Sequence, residues 1–208
     1  MIGESSPARE IPAMDPDSAE DLARAVQQAA EGDQEAWRLL VEAFAPRVFG
    51  LLRVQCGDPE LAEEIAQSAF CTIAQKLADY EEHGRFESWL FRIAMNRLRD
   101  EMRRRKRHAR PMEDELMVGL AGAEEREESD FEESDRAALA AAMGGLSEKD
   151  REVIDLRHVG GLSFRQIGEL LDEPVGTLLA RHHRALAKLR DLMTPPSETA
   201  EEDGKAED

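Results

Sequence analysis

"LSFRQIGELLDEPVGTLLARHHRALAKLR", residues 162–190, decides the fold. Ser163 and Gln166 stand three apart, the spacing of a capping box. The spacing predicts a helix over Phe164–Leu171 that stops at "DEP", with Pro174 suited to open the next helix. Two short helices joined by a turn of about three residues, the second one basic, form a helix-turn-helix. Just upstream, "LSEKD" repeats the capping device with Ser147 and Asp150.

Residues 174–190 hold four cations and no acid, although the whole chain carries a net charge of −18. At about 100° per residue, Thr177, Arg181, Arg184 and Lys188 fall within about 60° of one another. Val175, Leu178, His182, Leu186 and Leu189 gather elsewhere, within about 80°, and are expected to form the buried face. A helix that was merely solvated would be expected to carry acids in this chain. A cationic stripe after a capped helix and a tight turn points instead to a polyanion. Arg and Lys neutralise phosphates, and residues near the helix start reach base edges. His182 and His183 have no third ligand nearby, and adjacent helical residues point about 100° apart, so no metal and no cofactor are expected.

Charge is sorted along the chain, and its distribution matters more than its sum. Residues 92–110 contain nine Arg/Lys against two acids, whereas 111–136 contain eleven acids against Arg126 and Arg136. The last twelve residues add six acids and one lysine. This alternation reads as two modules with a flexible acidic linker. We expect a disordered start (1–18), a helical module (19–108), the linker (109–137), a helix-turn-helix module (138–193) and an acidic, disordered tail (194–208). A linker of roughly 28 residues reaches about 95 Å when extended, so the modules need not touch. It could fold back over the basic block or act as a solvated spacer, and both readings stay open.

In the first module, Leu61, Ile65, Ala69, Ile73 and Leu77 recur every four residues and line one helix face. Asp58 and Pro59 supply its start, and Glu60, Glu63 and Glu64 suit the positive end of the helix dipole. "YEEHGRF" breaks the period. A further helix then keeps Leu90, Ile93, Ala94 and Leu98 together and runs into the basic block. The fold class is therefore all-α, with two small helical domains.

Composition narrows the function. A charged fraction of 35% and an aromatic fraction of 5% argue against one large core. No apolar run reaches the ~18 residues of a membrane span, and the amino terminus lacks a secretory signal, so no membrane insertion and a cytoplasmic site are expected. Cys56 and Cys71 fit no disulfide or metal pattern and are expected to be reduced, buried thiols. No P-loop, G-x-S-x-G or H-E-x-x-H occurs, so there are no catalytic candidates and the chain does not read as an enzyme.

Residues 146–190 resemble region 4 of bacterial RNA polymerase sigma factors, the module that reads the −35 promoter element. "GDPELAEEIAQSAF" followed by "GRFESWLFRIAMNRLRDEMRRRKR" is similar to region 2, which binds the polymerase and opens the −10 element. Two such regions with only a linker between them resemble the extracytoplasmic-function (ECF) group of the sigma-70 family. The resemblance implies core RNA polymerase and promoter DNA as partners, leaves room for an anti-sigma factor, and assigns roles residue by residue. Asp58, Glu60, Glu63, Glu64 and Gln67 would dock on polymerase. The loop from Tyr80 to Arg85 would hold an unstacked −10 base, with Phe86, Trp89 and Asn96 beside it. Arg99, Arg103, Arg104 and Arg105 would contact phosphates of the opening strand. Arg165, Thr177, Arg181, Arg184 and Lys188 would serve the −35 element. Leu179, Ala180 and His182 depart from the usual Lys, Ser and Leu of the recognition helix, leaving fewer polar groups for base readout. A stand-alone helix-turn-helix regulator is the alternative; it would need a dimerisation surface or sensor domain.

Overall fold

The computed structural model describes residues 18–81, 83–108 and 133–194, and every regular element among them is helical. The first module comprises α1 (Ala19–Ala30), α2 (Gln34–Cys56), α3 (Pro59–Lys76), a short 3-10 turn (Leu77–Asp79) and α4 (Phe86–His108). The second comprises α5 (Glu133–Gly144), α6 (Glu148–His158), α7 (Phe164–Leu171) and α8 (Val175–Met193). The expected disordered ends and most of the expected linker lie outside the described residues. Glu133–Gly144, however, is helical, so residues 133–137 belong to α5 and not to the linker.

Side chains that satisfy the first free N–H groups set the helix starts. Ser18, Asp33 and Asp58 cap α1, α2 and α3, and Pro59 occupies the first turn of α3. Ser147 caps α6, and Ser163 with Gln166 forms the expected reciprocal box on α7. Each such cap contributes about 1 kcal/mol. The α2–α3 junction turns on Gly57 at φ 70°, a left-handed backbone that a Cβ would strain.

α2, α3 and α4 pack around Leu40, Phe44, Leu52, Leu61, Ile73, Leu90 and Phe91, all at most 2% exposed. Burying each such side chain contributes roughly 1.5–3 kcal/mol. Both cysteines are free, but Cys71 is exposed and Cys56 only half-buried, so the expectation of buried thiols fails. The period of α3 already buries Ala69 and Ile73 on one face, and Cys71 falls on the other.

The two modules share this core. Val153, Leu156, Leu162, Ile167, Leu170 and Leu178 of the second module join the same apolar cluster. A smaller cluster, Ala142, Leu146, Ile154, Ala185 and Leu189, holds α5, α6 and α8 together. α6 lies against α2, and α7 lies against α4.

Candidate nucleic-acid interface

The acidic face expected on α3 is present. Glu60, Glu63, Glu64 and Gln67 are exposed, and Gln67 Nε2 donates to Glu63 Oε1 at 3.1 Å. Asp58 differs, because its carboxylate caps α3 and also accepts from Arg105 Nη1 at 3.0 Å. The Leu61 N–H and then Arg105 hold that carboxyl below the usual range.

The loop from Tyr80 leads into a cluster of aromatic rings. Tyr80 and Trp89 have centroids 4.6 Å apart, and Phe86 lies edge-on to both Phe44 and Tyr80 at 5.7 and 5.8 Å. Trp89 and Tyr80 are half-buried and Arg85 is exposed, whereas Phe86 is 1% exposed. Phe86 therefore presents no surface to a base and instead packs beneath the two half-buried rings. It opens α4 with its ring against Phe44 of α2.

Along α4 the cations are paired with neighbouring acids. Arg103 lies 3.5 Å from Asp100, and Arg104 and Arg105 share Glu101 at 2.7 and 3.2 Å. Their exposure of 49–74% leaves them accessible to phosphate. Arg99 is drawn to the other module. Its Nη2 reaches Glu152 Oε1 at 2.7 Å, while Nη1 donates to the exposed Asn96 at 3.4 Å.

α8 buries Leu178 and Leu189 of the face expected from the sequence, with Ala185 beside them, but not the rest of that face. Val175 and Leu186 are 40% and 38% exposed, and His182 is half-buried. The buried stripe is rotated toward Arg181, because α5 and α6 dock there through Ala142, Leu146 and Ile154. Arg181 is consequently only 13% exposed and pairs with Glu173 at 2.8 Å. Thr177 and Arg184 remain exposed, and Lys188 donates to the Gly145 carbonyl at 2.6 Å. Arg165, on α7, is 75% exposed with Glu169 at 3.4 Å. The rings of His182 and His158 stack with their Nε2 atoms 3.0 Å apart, and burial followed by His158 holds His182 below its ordinary pKa. Among the described residues no three potential metal ligands come together.

A set of polar residues that the sequence reading passed over joins the modules. Arg47 of α2 donates to the Gly160 carbonyl at 3.0 Å and pairs with Glu87 at 2.8 Å. Gln55 donates to the buried Asp155 at 2.8 Å. The buried Ser88 donates to Glu169 at 2.8 Å, and Arg92 donates to the Glu169 carbonyl. The one signal in the sequence was an acid, Asp155, inside the apolar run "VIDL".

The Sigma-70 region 2 family matches residues 40–108, and the Sigma-70, region 4 family matches 142–191. The chain is 30% identical to the ECF RNA polymerase sigma factor SigW of Bacillus subtilis over 82% of its own length and 98% of that protein. It is 33% identical to the RNA polymerase sigma factor CnrH of Cupriavidus metallidurans over 89% of its length and all of that protein. The solved complex of CnrH with the cytosolic domain of CnrY covers 85% of this chain and 97% of CnrH at a TM-score of 0.59 and 25% identity. Both family regions thus fall, in order, within the two helical modules built above, and the chain belongs to the ECF group of the sigma-70 family of RNA polymerase sigma factors.

Proposed function

We propose that the two modules of this sigma factor divide promoter recognition between them, with α3 docking on core polymerase, α4 opening the −10 element and α8 reading the −35 element. The observation that carries the division is the order of the two matched regions on one chain, each bearing an exposed charged face of its own. The acids of α3 suit a basic partner surface. Tyr80 and Trp89 form an edge on which an unstacked base could rest, as capture of a flipped base requires. Arg103, Arg104 and Arg105 supply phosphate contacts, and Arg165, Thr177 and Arg184 form the open part of the −35 face. Lys188 extends that face once it leaves Gly145. The chemistry of RNA synthesis belongs to the polymerase, so the chain itself acts by binding, in the cytoplasm where polymerase and promoter meet. A stand-alone regulator is not favoured. CnrH was solved in complex with CnrY, which supports an anti-sigma partner for this chain as well.

In vitro transcription tests the reading. Core polymerase plus this chain is expected to start at discrete promoters, with neither component sufficient alone. Specific promoter binding by the free chain, with no effect on core polymerase, would instead establish the stand-alone regulator.

A further inference from the structure

A cleft of about 590 Å³ opens where the first turns of α1, α4 and α7 meet, within the roughly 300–1,000 Å³ common for small-molecule sites. Ala19, Leu22 and Ala23 of α1, with Ala43 of α2 and Phe86 of α4, give it an apolar wall. Methyl side chains at Ala19, Ala23 and Ala43 leave the space that longer ones would fill. Its polar lining comes from Arg47, Glu87, Arg157 and the Ser163–Gln166 cap of α7. The caps of α1 and α7 already satisfy their own N–H groups, so these helix starts contribute positive potential and not hydrogen bonds.

The two guanidinium groups of the cleft are not equivalent. Arg47 is spent, because it pairs with Glu87 at 2.8 Å and bonds the Gly160 carbonyl at 3.0 Å. Arg157 is half-buried, gives Nη1 to the Leu162 carbonyl at 3.0 Å and lies 5.6 Å from the Phe164 ring centroid. No acid pairs with it among the described residues. A guanidinium carries five N–H donors, so that one bond leaves Arg157 most of its capacity. Acids outnumber Lys and Arg by 45 to 27 in this chain, and a half-buried arginine without one is therefore a specific feature. The cleft holds one uncompensated positive charge beside an apolar wall.

We propose that this cleft binds a small organic carboxylate with an apolar chain or ring, its carboxylate on Arg157 and its apolar part against Leu22, Ala43 and Phe86. A single free cation matches a single negative charge, whereas a dianionic phosphate would bring one charge with no partner. A guanidinium donates two parallel N–H bonds to a carboxylate, which fixes the head of the ligand. Burial of the apolar part against the wall supplies the remaining affinity. Occupancy needs neither polymerase nor DNA, so the site goes beyond promoter recognition.

Titration calorimetry on the free, full-length chain tests this with three probes. Octanoate has both the charge and the apolar body, acetate only the charge, and octanol only the body. Octanoate is expected to bind saturably at one site, with acetate and octanol each weaker by about tenfold or more. Arg157→Gln removes the charge but keeps a donor, and Ala43→Leu fills the apolar wall. Each variant, shown to be folded by circular dichroism, should weaken octanoate by about tenfold or more. Absence of saturable binding at millimolar octanoate overturns the site, as does parent-strength binding by either folded variant. Equal affinity of the parent for octanol and octanoate overturns it without recourse to a variant. None of these readouts involves transcription, so failure of the promoter reading and failure of this site are separate results.

Discussion

Asp155 offers the sharpest quantitative test of how the modules meet. Its side chain sits on α6, 3% exposed, with Gln55 Nε2 of α2 at 2.8 Å. Burial pushes its pKa from the ordinary 3.8 up to about 6; Arg151 and the Gln55 hydrogen bond oppose the rise, and Glu152 adds to it. Between these two values the folded, closed protein holds a proton that the unfolded chain has released. Stability from this group is therefore fully present below about pH 4, falls as pH rises, and is lost above about pH 6. The difference corresponds to about 3 kcal/mol at neutral pH. Asp155→Asn keeps an oxygen to accept from Gln55 and carries no charge. It should stabilise the protein by about 1–3 kcal/mol near pH 7.5, with the gain shrinking toward zero near pH 4. Urea unfolding of parent and variant across that range measures the gap. The acids with lowered pKa, Asp58, Glu35 and Glu101, titrate in the opposite sense but are common to both proteins and cancel. A gap that does not change with pH would refute the burial of this carboxylate against α2.

Replacing Glu63 and Glu64 by Lys reverses the exposed face of α3 and should abolish pull-down of core polymerase with helix content unchanged by circular dichroism; retained binding removes this face from the interface. Arg184→Ala should weaken promoter binding by the holoenzyme and flatten its log-affinity against log-salt slope by about 0.9, the value for one lost phosphate contact. Arg181→Ala should move that slope less, since Arg181 is already paired with Glu173, and equal changes would mean that the pair opens on DNA. Phe86→Ala should cost about 3–5 kcal/mol in denaturant unfolding, the range for a deleted core aromatic, and a cost below about 1 kcal/mol would contradict its place beneath Tyr80 and Trp89.

Local signals carried most of the element boundaries. Ser147, Ser163 with Gln166, Asp58 with Pro59, and Pro174 marked helix starts that the structure reproduces, because a cap acts within three residues and needs no tertiary partner. The order of the two modules, the break at "YEEHGRF" and the acidic face of α3 were likewise written in the linear pattern. Long-range packing decided the rest. Which side of α8 is buried depended on where α5 and α6 dock, and an amphipathic pattern with Leu and Val on several sides did not resolve that. The burial of Phe86 beneath its aromatic neighbours followed from the position of Phe44, forty-two residues earlier. The seam between the modules was the least legible feature. Arg47, Gln55, Ser88, Glu152, Asp155 and Glu169 are ordinary surface residue types in a chain rich in charge, and they acquire meaning only when segments 53 to 113 residues apart are brought together. Helix identity and capping are short-range and belong to the sequence. The pairing of charges across a shared core depends on tertiary approach, which a one-dimensional pattern does not encode.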